Sequence, residues 1–237
     1  MELDDLPDDA ISRGLKMVST LYFYNRWIFD SVRDHLGPAI LEVGAGVGNI
    51  TQFLLNAERV VCLEPFEPYR QYMTQRFAQH LNVRVHPHPI EDCPNEDVPA
   101  GAFDSVVCLN VLEHIEDEVN ALRRMREALR PGGKAVVLTP AMPCLYGRMD
   151  RALGHVRRHK VRSLRRAFHQ AGLEPVRGRY MNMVGALGWW WQGRIRRKAT
   201  VSQAGAGAFN RMVPILSALE RLIPVPFGQS VILVGQA

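Results

Sequence analysis

The sequence is poor in lysine and cysteine and has no long apolar run, and each shortage narrows what the chain can be. Its four cysteines, Cys62, Cys93, Cys108 and Cys144, include no Cys-x-x-Cys spacing and no pairing pattern. Cys62 and Cys108 fall inside apolar, strand-like runs, where a thiol behaves as a small core residue. This argues against zinc ligation and for a reducing, cytoplasmic setting, and no metal site is expected. No stretch of about 18 apolar residues occurs, so no segment is expected to span a bilayer. Met1 to Ala10 is acidic and polar, which does not fit a secretory leader. Only Lys16, Lys134, Lys160 and Lys198 are lysines, so the net charge of +5 rests almost wholly on arginine. A basic excess of that size suits acidic substrates or a membrane surface, although arginine-heavy usage also arises as a genomic habit. No extended stripe of basic and aromatic residues is present, which disfavours nucleic acid.

What is present is a chain of 237 residues, 47% hydrophobic and 22% charged, an ordinary globular balance. It is organised around Ala39-Ile40-Leu41-Glu42-Val43-Gly44-Ala45-Gly46-Val47-Gly48-Asn49-Ile50. A short apolar run predicts a buried strand, and the apolar residues from Ile50 to Leu55 predict a helix. The glycines between them permit positive φ and a close approach to a ligand. A glycine turn from a strand into a helix also aims backbone N–H groups at whatever binds there. A dinucleotide site would favour G-x-G-x-x-G, and here Asn49 stands where the third glycine would fall.

Helical spacing from Ile11 to Leu36 predicts a leader helix with Leu21, Tyr24, Trp27, Ile28 and Val32 on one face. It either packs on the domain edge or forms a lid in which Tyr24 covers cofactor and substrate. Arg59 to Pro65 predicts a second strand ending in Glu64, an acid able to accept both hydroxyls of a ribose. A helix over 68–79 and a third strand at Val83 to His86 follow. Asp92, after that strand, is placed to accept from an adenine amino group, with Glu91 beside it. Phe103 to Asn110 predicts the fourth strand, and Val111 to Ile115 opens a helix continued by Ala121 to Leu129. Pro131 to Lys134 is a turn before a fifth strand, Ala135 to Pro140. The alternation of strands and helices predicts a doubly wound, mostly parallel α/β sheet.

The series LEVGAGVGN, VVCLEP, FDSVVCLNVLEHI and LRPGGKAVVLTP resembles the ordered motifs of the class I S-adenosylmethionine-dependent methyltransferases. The resemblance implies a Rossmann-like sheet of seven strands with the last antiparallel, and S-adenosyl-L-methionine across the carboxyl ends of the first four. On this chain it implies that Gly44, Gly46 and Gly48 line the cofactor and Glu42 orders its methionine end. Glu64 with Pro65 would take the ribose, Asp92 with Glu91 the adenine, and Asn110 the methionine portion through its carbonyl. The whole chain, 1–237, is then one domain: a helical lid over 1–37, a cofactor core over 38–140, and substrate-side loops with a helical insertion and the last two strands over 141–237. YGRMDRALGHVRRH, NMVGALGWWW and PVPFGQSVILV further resemble a bacterial subgroup often found beside genes for lipid-linked sugars or natural products. The expected reaction is methyl transfer to a small-molecule acceptor. The alternatives are a non-catalytic partner subunit of the same fold and a nicotinamide-dependent oxidoreductase.

The loop after the fifth strand should hang over the methyl group. Within it His155 is the candidate base, or else a structural histidine, with Tyr146 as a second catalytic candidate. His114 is expected to shape the acceptor pocket. Arg157 and Arg158, with Arg148 and His159, concentrate positive charge there. They suit an anionic acceptor, unless they pair with Asp150 and other carboxylates. Trp189-Trp190-Trp191 and the basic run ending at Lys198 read as a substrate lid, a dimer interface or a peripheral membrane contact. A sixth strand is expected over Leu173 to Met181, a flexible stretch over Ala204 to Ala208, a helix over Phe209 to Leu222, and the closing strand from Gly228 to Val234.

Overall fold

The computed structural model describes residues 2–195, 202–223 and 225–237. Seven strands form one sheet: β1 (Ala39–Val43), β2 (Arg59–Leu63), β3 (Val83–His86), β4 (Phe103–Leu109), β5 (Leu129–Pro140), β6 (Glu174–Met181) and β7 (Ser230–Gln236). Their order is β3-β2-β1-β4-β5-β7-β6. The first five strands pair in parallel, and β7 runs antiparallel between β5 and β6. The expected mostly parallel sheet of seven strands with an antiparallel closing strand is therefore what the chain forms.

Alternate residues of each central strand face opposite ways and build two cores. Leu41, Val61, Leu63, Val106 and Val137 face helices α4 (Glu118–Ala128) and α6 (Val161–Gln170) through Leu122, Met125, Leu164 and Phe168. Ile40, Val60, Val107, Val136 and Leu138 face α2 (Tyr22–Asp30), α3 (Glu67–Arg76) and α8 (Gln203–Leu222) through Trp27, Ile28, Met73 and Val213. Both faces being covered explains why the strands read as near-continuous apolar runs.

Several elements differ from their sequence outlines. The single leader helix is instead α1 (Ala10–Ser19), α2 and a short 3-10 turn at Arg33–His35. Leu21, buried and non-helical at φ −92°, ψ 66°, breaks it, and the Thr20 hydroxyl takes the Met17 carbonyl at 2.7 Å. The expected helix after the glycine loop shrinks to a 3-10 turn at Thr51–Phe53, because the Thr51 hydroxyl donates inward to Glu42. Leu112–His114 is likewise a 3-10 turn, and α4 starts only after Asp117, which caps the Asn120 N–H. The glycine turn lies within β5, where pairing with β4 jumps from Leu129 to Lys134 around Gly132 at φ 79°. The Ala204 to Ala208 stretch is helical, since α8 begins at Gln203 behind the Ser202 cap. α7 (Met183–Trp190) carries the first two tryptophans and Trp191 opens a five-residue π turn to Ile195. Arg196, Arg197 and Lys198 of the basic run lie outside the described residues. Among the described residues no helix is long and apolar enough to cross a membrane.

Candidate active site

Parallel strands leave their carboxyl ends on one edge, and the turn after β1 is tied there by two bonds. The Gly44 and Ala45 N–H groups donate to the Leu63 carbonyl at 2.8 and 3.1 Å. Gly44, Gly46 and Gly48 all have positive φ, at 67°, 59° and 78°. At Gly44 a side chain would also collide with Val111, so β1 and the turn after β4 touch only because it is absent. At Gly46 the same position is open and faces Leu15 of α1 at 3.5 Å. The first helix therefore lies over the glycine loop, with Ser12 bonded to the Tyr69 hydroxyl at 2.7 Å beside it.

Glu64 closes this loop from the β2 side. Its carboxylate accepts the Gly46 N–H at 2.8 Å and the Phe66 N–H at 2.9 Å. Burial raises its pKa, opposed by those two backbone bonds. A carboxylate has about four acceptor positions, so two remain for a diol. Glu42, buried beneath the loop, accepts the Thr51 hydroxyl at 2.7 Å, and burial pushes its pKa up to about 7. Asn110 sits at φ 58°, its N–H bonded to the Leu138 carbonyl at 2.7 Å, which lifts its own carbonyl out of the β4 ladder. Pro65 follows Glu64 and leads into α3. Glu91 and Asp92 lie in a 3-10 turn after β3, where Asp92 is exposed and Glu91 turns a buried Oε2 with no hydrogen-bond partner inward.

Beside this loop, past β4, a second group of side chains converges. Glu113 is fully buried, with its Oε2 accepting the Thr139 hydroxyl at 3.1 Å and its Oε1 left without a partner. Burial pushes its pKa up to about 7 against the attraction of His155. The Val156 N–H donates to the Glu113 carbonyl at 2.8 Å, which binds the loop after β5 to the turn after β4. The His114 and His155 rings meet edge to face with centroids 5.0 Å apart. His114, exposed at the surface, bonds through Nδ1 to the Gly154 carbonyl at 3.2 Å, and partial desolvation of its ring with the neighbouring His155 lowers its pKa to about 4. His155 bonds through Nδ1 to Asp150 at 3.0 Å. Both partners accept, so each ring carries a proton on Nδ1. The Tyr24 hydroxyl lies near Ser230 and Asn182 on the same edge, and burial raises its pKa.

The arginines behave otherwise than open anion forks. Arg158 is buried, with Nε on Asp150 at 2.7 Å, Nη1 on the Ala141 carbonyl at 2.9 Å and the guanidinium 4.8 Å from the Trp189 ring. Arg157 pairs with Glu118 at 2.9 Å and donates to the Glu116 carbonyl, and His159 takes the same Glu118 at 2.7 Å. Burying charge without a partner is costly, and Arg157, Arg158 and His159 are paired with the carboxylates of Glu118 and Asp150, although the Arg158 Nη2 stays buried without a partner. The Tyr146 hydroxyl is also engaged, donating to the His155 carbonyl at 2.8 Å. Glu113, Thr139 and Asp150 were not singled out from sequence for the site. The only signal for Glu113 was its place beside His114 in LEHI, where an expected helix hid its inward direction.

A doubly wound sheet with a glycine loop and an acid across it defines a nucleotide-type cofactor binder. Residues 27–177 match the methyltransferase domain family, and the chain belongs to that S-adenosylmethionine-dependent family. It is 33% identical over 115 residues to the human thiol S-methyltransferase TMT1B, a match covering 46% of each chain. It is 32% identical over 122 residues to the tRNA U34 carboxymethyltransferase of Shewanella baltica, covering 48% of this chain and 36% of that one. The matches thus span less than half the length of these relatives. Among solved structures, a geranyl diphosphate methyltransferase in complex with S-adenosylmethionine superposes with a TM-score of 0.66 at 16% identity, covering 98% of this chain and 92% of that one. A sarcosine dimethylglycine methyltransferase from Galdieria sulphuraria gives 0.62 at 13%, covering 90% and 84%. These two likenesses concern the fold alone.

Proposed function

We propose that the chain transfers the methyl group of S-adenosyl-L-methionine to a small-molecule acceptor held among Tyr24, Glu113, His114 and His155. The observation that carries this reading is the adjacency of two half-sites on one sheet edge. One is a glycine loop braced by Glu64, and the other is a buried carboxylate with two oriented imidazoles. Adenosylmethionine carries an activated sulfonium, so the protein's task is to align an acceptor behind the methyl carbon, within about 3–3.5 Å. Gly46 and Glu64 would hold the adenosine, and Glu42 and the Asn110 carbonyl would order the methionine end. Glu91, with its buried unpartnered oxygen, fits the adenine amino group better than exposed Asp92. His155, oriented by Asp150, activates the acceptor, and Tyr146 acts as a positioning residue through the His155 carbonyl. The human relative's name gives a thiol acceptor and the bacterial one a tRNA. The lack of a basic stripe here favours a small molecule, as in lipid, glycan or natural-product assembly in the cytoplasm.

The outer faces of α7 and α8 supply a partner surface. Leu187, Trp190 and Trp191, with Met212, Ile215, Leu219 and Leu222 at helical spacing, are exposed. Glu220 on α8 accepts the Asn182 and Met183 N–H groups, which brings the two helices together. Exposed Trp and Leu on α7 and at Trp191, and the Met, Ile and Leu stripe on α8, support a dimer interface ahead of a lipid contact.

Calorimetric titration tests the reading against its nearest rival. S-adenosylhomocysteine should bind one per chain, while NADH should not bind. Binding of NADH without S-adenosylhomocysteine would transfer the chain to the oxidoreductases.

A further inference from the structure

We propose that Glu113, His114 and His155 form a site for one divalent transition-metal cation whose open positions take oxygen donors of the methyl acceptor. The cysteine spacing gave no hint of a metal, and these three ligands come together only because the turn after β4 and the loop after β5 are bonded through Val156 and Glu113. One donor atom from each of the three residues lies within 4.8 Å of the others. Neighbouring ligands around an ion at 2.0–2.2 Å stand about 3–3.5 Å apart, so the three donors draw closer together when an ion binds.

Two independent observations point to a ligand rather than to chance proximity. The Glu113 Oε1 is buried with no hydrogen-bond partner, although its sister oxygen has Thr139. A buried acceptor left unmet is costly, and a cation would satisfy it. Each imidazole also gives its Nδ1 proton to an outer acceptor, as metal-ligating histidines do, which leaves Nε2 as the nitrogen available to an ion. For His155 that acceptor is Asp150, itself fixed by Arg158 and the Gly147 N–H at 2.9 Å. For His114 it is the Gly154 carbonyl. Asp150 thus acts on the site through His155, a positioning role that also accounts for its buried pairing with Arg158.

Two imidazoles and one carboxylate suit Zn²⁺, Fe²⁺, Mn²⁺ or Co²⁺ rather than Mg²⁺ or Ca²⁺, which prefer oxygen. Three protein ligands leave adjacent positions for a chelating acceptor, such as a vicinal diol, a catechol or an α-hydroxy acid. An acceptor hydroxyl bound there loses its proton to bulk water more readily. Its oxygen lone pair then forms the O–CH₃ bond while the C–S bond breaks with both electrons to sulfur, leaving a neutral thioether. Neither partner is oxidised or reduced. This acceptor role rests on the methyl-transfer reading, whereas ion binding does not.

The test is titration of chelator-stripped protein with Co²⁺, followed by calorimetry and visible absorption, beside a separate titration with S-adenosylhomocysteine. One Co²⁺ per chain should bind, with the spectrum of a nitrogen- and oxygen-ligated ion, and Zn²⁺ should displace it. His155→Ala and Glu113→Gln should each weaken binding about tenfold or more. His114→Ala, at an exposed position, should do the same without loss of fold, which keeps the test decisive if the buried variants unfold. Stripped wild type that binds S-adenosylhomocysteine but takes up neither Co²⁺ nor Zn²⁺ saturably would overturn the ion site alone. Equal Co²⁺ affinity in folded His114→Ala and wild type would overturn it too. Saturable Co²⁺ binding without S-adenosylhomocysteine binding would uphold the ion site and overturn its acceptor role together with the methyl-transfer reading.

Discussion

Glu64 and Glu42 are both buried carboxylates at the glycine loop, yet they answer to different measurements. Glu64 spends two acceptor positions on the Gly46 and Phe66 N–H groups, which braces the loop and leaves two for the ribose that the proposed function assigns to it. Glu64→Gln keeps the shape but turns one oxygen into a donor facing N–H groups and hydroxyls. Hydrogen bonds to a charged group contribute about 1.5–3 kcal/mol each, so S-adenosylhomocysteine affinity should fall at least tenfold by calorimetry. Unchanged affinity would remove Glu64 from the site. Glu42 is held neutral more easily than charged, its pKa raised from 4.5 to about 7 first by burial. A raised folded pKa means that its contribution to stability is present at low pH and fades as pH climbs from about 4.5 through about 7. Without cofactor, Glu42→Gln should melt close to wild type at acid pH and several degrees above it once the pH exceeds that window, as read by thermal denaturation. A gap that stays constant with pH would show that Glu42 titrates alike in the folded and unfolded chain and would contradict the raised pKa. Both acids stood out in the sequence, because Glu42 lies two residues before the glycine turn and Glu64 directly follows the second strand. Asp150, Thr139 and Glu113 did not, because their roles depend on which loop folds back over which strand end.

At the scale of elements, α1 is the piece whose role extends beyond packing. Among its residues only Ser12 is buried, so it adds little to the core. It nevertheless places Leu15 against Gly46, Gly14 against Leu153 of α5 (Arg148–Ala152) and Ile11 near Gly154, spanning the cofactor loop and the acceptor loop. We therefore expect Ser12→Ala with Leu15→Ala to speed release of S-adenosylhomocysteine several-fold in stopped-flow experiments. The melting temperature should fall by only a few degrees. An unchanged release rate would reduce α1 to edge packing. The sheet's elements were readable because a strand buried on both faces is a continuous apolar run between turn residues. Helix lengths were less readable where a side chain takes a backbone partner. Thr20 ends α1, Thr51 turns inward to Glu42, and Asp117 delays α4. Apolar spacing carries none of those hydrogen bonds. For the arginine-rich loop the sequence left an anion site and pairing with Asp150 both open, and Arg158 does pair with Asp150, a contact that depends on how the loop folds.

At the scale of the whole molecule, the carboxyl edge of the sheet carries the glycine loop and the Glu113, His114 and His155 cluster, and α7 and α8 carry exposed apolar residues. Light scattering should find a dimer, and Ile215→Glu with Leu219→Glu should return a monomer with normal cofactor binding. A wild-type monomer that sediments with anionic vesicles would instead assign that face to lipid. The central claim is that cofactor and acceptor meet on the carboxyl edge between the glycine loop and the Glu113, His114 and His155 cluster. A crystal structure with S-adenosylhomocysteine measures this directly. The account predicts the ribose hydroxyls on Glu64, the amino-acid end near Glu42 and the Asn110 carbonyl, and the sulfur facing His155 and Glu113. A ligand bound elsewhere, or one whose sulfur points away from that cluster, would contradict it.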